Sequence, residues 1–284
     1  MSVNKKKFCL VGLPKSGKST FIAALWHVVE AKELSNSLQI STLPNNRQYL
    51  EKLREAWLTC EDISRTSMES ISHIELDVID KTTNNNALFS FPDVKGELFK
   101  QLFETREIPV YYLDLLKESD GVLLFIGDQI KNPLMISEFE EMFDDEPPES
   151  PQSWKHEMVP TQVVLVDLIQ SICDVVKKPL NVAIIISAWD KQIAISEAIG
   201  ERINPEQWMK KTIPLFHQFI STNNNQLKWT CFGISAQGGD YIQGKTELIS
   251  LELQSCRLKV QEGSSKDISH DISAPIKWLI NSKS

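Results

Sequence analysis

The 284-residue chain predicts an α/β fold. Helices should cover both faces of a mostly parallel sheet with one antiparallel edge strand, a three-layer α/β/α sandwich. Three observations carry this expectation. Helix-like and strand-like stretches alternate along most of the sequence. The runs Gly121–Gly127 and Leu180–Ser187 are apolar almost without a break, as in parallel strands covered on both faces. Ile74–Ile79 and Ala87–Phe91 flank an Asn-rich turn at Thr82–Asn86, which predicts an antiparallel hairpin.

The elements follow in order. Phe8–Val11 is a short buried strand, and Thr20–Lys32 a helix with Ile22, Leu25, Trp26 and Val29 on one face. After a polar turn, Leu43–Cys60 reads as a helix: Pro44–Asn46 caps it, and Tyr49, Leu50, Leu53, Ala56 and Trp57 recur at helical spacing. Asp62–Ser72 is a polar loop. Ile74–Ile79 alternates strictly, as a half-buried strand does. Glu97–Glu107 and Val110–Lys117 are helical. Residues 128–159 break the pattern, and the acidic, proline-ended stretch Glu138–Glu149 reads as a surface excursion or as a docking site for a basic partner. Thr161–Lys177 is an amphipathic helix. Pro205–Ser221 reads as one helix with proline at its start, and Trp229–Ser235 as a strand. Within the irregular stretch 238–272, weak alternation over Leu248–Val260 and a turn at Glu262–Ser265 suggest an edge hairpin. Pro275–Asn281 closes as a short helix. Residues 1–284 are therefore expected to form one domain with insertions at about 34–62, 128–159 and 238–272.

Composition narrows the function. Apolar content is 42% and charged content 24%, as in ordinary globular chains. A net charge of −8 argues against a nucleic-acid-binding surface. No apolar run approaches the ~18 residues of a membrane span. Pro14, Lys15 and Lys18 interrupt the apolar stretch behind Lys5–Lys7, which excludes a signal-peptide core. The five cysteines are widely spaced, with no C-x-x-C pair. Buried thiols and a cytoplasmic location are the expectation.

The chemistry begins at Gly12–Ser19, which reads G-x-x-x-x-G-K-S between a strand and a helix. Glycines let successive backbone N–H groups wrap a polyphosphate at a helix N-terminus. Lys18 is placed to reach the β- and γ-phosphates and the Ser19 hydroxyl to ligate Mg²⁺. Gly12, Pro14, Lys15, Ser16, Gly17 and Thr20 complete the candidate cradle. Asp93–Gly96 reads D-x-x-G after the second hairpin strand: Asp93 can hold Mg²⁺ through water, and the Gly96 N–H can touch a γ-phosphate. In Ser187-Ala188-Trp189-Asp190-Lys191, Asp190 can accept from guanine N1–H and its 2-amino group, or simply cap the next helix. Ser235 and Ala236, small residues at a strand end, would let a backbone N–H approach the base carbonyl. Thr66, in the polar loop ahead of the hairpin, could close on Mg²⁺ and the γ-phosphate.

In order and placement these sites resemble the guanine-nucleotide motifs of TRAFAC-class P-loop GTPases, over roughly residues 7–240. A narrower similarity is to bacterial double-GTPase domains of conflict and defence loci, through Ala56-Trp57-Leu58 and the ending His270–Leu279. The resemblance implies GTP/GDP as ligand, Ser19, Thr66 and Asp93 around Mg²⁺, and slow or partner-stimulated hydrolysis. It implies protein partners at the switch loops and insertions, and a nucleotide-dependent dimer. Three departures stand out. Ser187 and Ala188 replace the Asn and Lys of N-K-x-D, and Trp189 or Lys191 is left to compensate. Glu97 replaces the water-orienting Gln. Lys15 occupies the loop position where cation-dependent relatives carry Asn, so its ammonium could supply positive charge in cis. Lys18, Lys15, Thr66 and Glu97 are then the catalytic candidates. A P-loop ATPase or small-molecule kinase, and a nucleotide-binding scaffold without hydrolysis, remain open alternatives.

Overall fold

A computed structural model describes residues 5–35, 37–62, 74–91, 97–133, 159–176 and 179–282. Nine strands form one sheet in the order β2-β3-β4-β1-β5-β6-β7-β8-β9. Its centre consists of β1 (Lys6–Gly12), β4 (Asn85–Phe91), β5 (Gly121–Ile126), β6 (Leu180–Ser187) and β7 (Leu227–Ser235), all mutually parallel. The expected hairpin is present: β3 (Ile74–Asp80) runs antiparallel to β4, from Ile74 opposite Phe91 to Asp80 opposite Asn85.

Strand alternation divides the core into two layers. Phe8, Leu10, Leu123, Phe125, Ala183 and Ile185 face one side, where they meet Phe21, Trp26, Leu53, Trp57, Ile276 and Leu279. Those partners come from α1 (Lys18–Ala31), α2 (Arg47–Leu58) and α10 (Ala274–Asn281). Cys9, Val11, Val122, Leu124, Val182 and Ile184 face the other side. There they pack on α3 (Glu97–Thr105), α4 (Val110–Glu118), α5 (Thr161–Val176), α7 (Pro205–Thr212) and α8 (Pro214–Thr222) through Phe99, Tyr112, Leu168, Met209 and Phe216. Each such side chain contributes roughly 1.5–3 kcal/mol by leaving water, so the sheet is stabilised from both faces. α1 is buried from Phe21 to Val29 on every side, because α2 covers the flank turned away from the sheet.

Several elements differ from the expectation. At one edge the sheet gains an antiparallel strand, β2 (Gln39–Thr42) beside β3; at the other the expected edge hairpin is present, with β8 (Lys259–Glu262) beside β7 and β9 (Ile268–Ser269) beside β8. The expected strand over Leu248–Val260 is mostly α9 (Lys245–Ile249) and a 3₁₀ turn at Gln254–Arg257; only its last two residues enter β8. The helix expected over Pro205–Ser221 is two helices broken at Ile213, whose backbone (φ −133°, ψ 57°) leaves the helical region immediately before Pro214. Proline both removes an N–H and excludes helical geometry from the residue before it. A further helix, α6 (Trp189–Ala198), follows β6 directly. No helix among the described residues is long and apolar enough to cross a membrane.

The fold places the candidate residues through the parallel register. Gly12 lies opposite Phe125, Ile126 opposite Ile186, and Ser187 opposite Ile234. The loops that leave β1, β5, β6 and β7 therefore meet at one end of the sheet, the carboxyl end at which open α/β sheets bind ligands.

Candidate functional site

The loop between β1 and α1 is built on two glycines that no other residue could replace without displacement. A Cβ on Gly12 would lie 2.9 Å from both Cβ and O of Phe125. Gly17 caps α1 at φ 86°, and a Cβ there would lie 2.7 Å from Ser187 Oγ. Lys15 takes the left-handed conformation at φ 60° and is exposed. Lys18 is 2% exposed. Its Nζ donates to the carbonyls of Gly12 (2.9 Å) and Leu13 (2.7 Å) and to Ser16 Oγ (3.2 Å). The ammonium is thus tethered across the mouth of the loop, at the positive end of a 14-residue helix with no acidic residue in its first turn.

The second segment is tied directly to the first. Ser187 Oγ donates to Ser16 O at 2.7 Å, so the serine standing where the family pattern has Asn joins β6 to the phosphate loop. Ala188 follows in the left-handed region (φ 54°, ψ 43°) as N-cap of α6, which places Asp190 in that helix's first turn. Trp189 cannot serve a base as a stacking surface, contrary to expectation. It is fully buried, its Nε1 donates to Gln261 Oε1 at 2.7 Å, and its ring lies against Gly233. Lys191 forms a 2.6 Å ion pair with Asp128, and that hydrogen bond raises its pKa. In the third segment Ser235 is buried and its Oγ accepts from the Gly238 N–H at 3.0 Å. The Ala236 carbonyl accepts from Trp57 Nε1 at 2.7 Å.

These segments line one cleft of about 990 Å³, at the large end of small-molecule sites. Lys15, Ser16, Gly17, Lys18, Ser19 and Thr20 form one wall; Ser187, Asp190, Lys191, Ser235, Ala236 and Gln237 form another. Gly12 and Pro14 are not among the lining residues; Gly12 contributes through its bond to Lys18. Glu97 is exposed at the start of α3 and is not brought to the cleft. Thr66, Asp93 and Gly96 lie outside the described residues.

Sequence reasoning missed a third wall. Cys60 and Asp62 line the cleft just beyond α2, and Gly239, Asp240, Tyr241, Ile242 and Lys245 line it from the stretch between β7 and β8. The available signal was the Gly238–Gly239 pair, a turn marker; Gly238 has φ 92°. The wall is preformed, since Asp240 Oδ1 accepts from the Ile242 N–H (2.6 Å) and the Gln243 N–H (3.2 Å). It presents Ile242 at 93% exposure.

With this geometry in place, the relatives decide the family. The chain matches the Double-GTPase 1 family over residues 9–279. It belongs to that family. The Double-GTPase 1 match spans the phosphate loop and the three walls of the cleft, consistent with a P-loop GTPase domain. A search of curated protein sequences finds no match. Among solved structures, the bacterial selenocysteine-specific elongation factor EF-Sec aligns with TM-score 0.37 and 13% identity, covering 87% of this chain and 28% of that one. Sup35 complexed with GDP aligns with TM-score 0.35 and 12% identity, covering 84% of this chain and 39% of its own. The chain thus spans well under half the length of either neighbour.

Proposed function

We propose that this Double-GTPase 1 chain binds GTP and GDP in the cleft and hydrolyses GTP slowly with Mg²⁺, switching conformation between the two states. The observation that carries the reading is convergence: the phosphate loop, Asp190 and the Ser235–Gln237 turn share one cleft. A polyphosphate laid over the backbone N–H groups of the loop and the α1 N-terminus would meet Lys18. A guanine placed against Asp190 would donate N1–H and its 2-amino group to the carboxylate, and an adenine cannot make that pair.

Ser19 lines the cleft directly after Lys18, and a hydroxyl is the hard oxygen donor that Mg²⁺ takes. The donor present therefore fits, and Thr66 and Asp93 are proposed to complete the set. The ion supplies charge neutralisation on the phosphate oxygens. The protein's share is positioning and charge: Lys18 holds the β- and γ-phosphates, and exposed Lys15, also in the lining, adds positive charge toward the transferring phosphoryl group. With Glu97 away from the cleft, no side chain among the described lining residues is assigned to orient the water, which fits a low intrinsic rate.

Phosphate release should follow GTP and not ATP, and should require Mg²⁺. Asp190→Ala should weaken GDP binding about thirtyfold through loss of charge-assisted hydrogen bonds, while leaving inorganic tripolyphosphate binding unchanged. Equal hydrolysis rates for the wild type and Lys15→Ala, in K⁺ and in Na⁺, would remove Lys15 from this account.

A further inference from the structure

The Ser235–Gln237 turn is fixed from behind by a side chain outside every nucleotide motif. Trp57, near the end of α2, is fully buried on the core side, and its Nε1 donates to Ala236 O at 2.7 Å. The Ala236 carbonyl and the Gln237 N–H belong to one planar peptide and point in opposite directions. Holding the carbonyl toward the core therefore turns the Gln237 N–H to the opposite side, where Ala236 and Gln237 line the cleft. The Ser235 hydroxyl, accepting from Gly238 N–H, fixes the far end of the same turn.

Trp57 is itself clamped. The Arg257 guanidinium lies over its ring, 3.4 Å from the centroid, donates to the Trp57 carbonyl, and reaches Cys60 Sγ at 3.4 Å. The His27 ring packs against the same indole, 5.1 Å between centroids. Arg257 is 3% exposed, has no carboxylate partner among the described residues, and its Nε has no hydrogen-bond partner there. Burying a guanidinium without a carboxylate carries a large desolvation cost, so an apolar residue would fill the core at less cost. What the arginine adds is orientation. A Cβ on Gly238 would lie 2.7 Å from Arg257 O and 2.8 Å from Arg257 Cβ, so the turn sits directly on the residue that clamps Trp57.

We infer that Trp57 and Arg257 are positioning residues for base recognition, holding the 236–237 peptide so that its N–H meets an acceptor on the base. Guanine carries such an acceptor, its 6-oxo group; adenine carries a donor amine at that place. The inference rests on the reading of the cleft as a nucleotide site. It predicts an effect confined to the base, which general loosening of the core would not give.

The test compares GDP and inorganic tripolyphosphate, each titrated with Mg²⁺ into wild type, Trp57→Phe and Arg257→Lys. Trp57→Phe keeps an aromatic ring under the guanidinium and removes the donor together with part of the buried indole. GDP affinity should fall about tenfold, the effect of one lost hydrogen bond and a freed carbonyl, while tripolyphosphate affinity stays unchanged. Arg257→Lys keeps the charge but not the planar stack, and should weaken GDP alone by a smaller factor. Undiminished GDP binding by Trp57→Phe would overturn the inference, as would equal weakening of both ligands. A wild type that binds tripolyphosphate but not GDP would remove the nucleotide reading itself.

Discussion

Lys18→Ala should lower the affinity for GDP and GTP by roughly a hundredfold or more, the largest effect expected on binding. Each charge-assisted hydrogen bond to a phosphate is worth about 1.5–3 kcal/mol, and Lys18 is placed to make more than one. Its present contacts make the loss specific. Nζ is held by the Gly12 and Leu13 carbonyls and Ser16 Oγ, all in the loop that the phosphates would occupy, so the charge is fixed at the proposed phosphate site. The substitution also removes the partner of the buried Gly12 carbonyl, so its effect on stability is read beside its effect on binding. Titration with a fluorescent guanine nucleotide, beside a thermal melt, separates the two effects. Unchanged affinity with an intact fold would contradict the role given to this lysine.

Gly233→Ala should be the most damaging single methyl for stability, costing about 3 kcal/mol, the upper end of ordinary overpacking. The added Cβ would lie 2.1 Å from Trp189 Cδ2, 2.4 Å from Cε2 and 2.5 Å from Cγ. Trp189 has little room to retreat. It is fully buried, its Nε1 is bonded to Gln261 Oε1, and Gln261 Nε2 in turn donates to Ser265 O at 2.7 Å. The backbone cannot easily yield either, since Gly233 is paired with Ile186 on one side and Gln261 on the other. Any shift of Trp189 carries Asp190 with it, so guanine affinity should fall together with stability. Gly239→Ala is the matched control: its nearest neighbour would be an ordinary 3.8 Å contact, and its stability should stay within about 0.5 kcal/mol of wild type. Equal denaturant midpoints for Gly233→Ala and wild type would contradict the packing described here.

Some parts of this molecule were legible in the sequence because their physics is local. The phosphate loop depends on glycine backbone freedom and one lysine, all within eight residues. β5 and β6 announce themselves as apolar runs because both faces are covered. The hairpin of β3 and β4 shows in alternation and an Asn-rich turn. Other parts depend on distant partners. α6 has no apolar stripe, with only Trp189 and Ser196 buried, so periodicity could not reveal it. β2 and β8 have four residues each and β9 has two, too short for alternation to register. The break at Ile213 is signalled by Pro214, an interior proline that a continuous helix does not accommodate. The wall from Gly239 to Lys245 has no pattern of its own; Gly238 against Arg257 and the Asp240 turn place it at the cleft. Asp190 stands out by spacing, whereas Trp57 and Arg257 carry no such signal, because 200 residues separate them and only the fold brings them together.

The most direct measurement is displacement of a fluorescent guanine nucleotide from the purified protein, with Mg²⁺, by unlabelled GTP and ATP in parallel. The account predicts displacement by GTP at concentrations at which ATP has no effect. Displacement by ATP at equal or lower concentrations would contradict it, because Asp190 and the Ser235–Gln237 turn would then not be reading guanine.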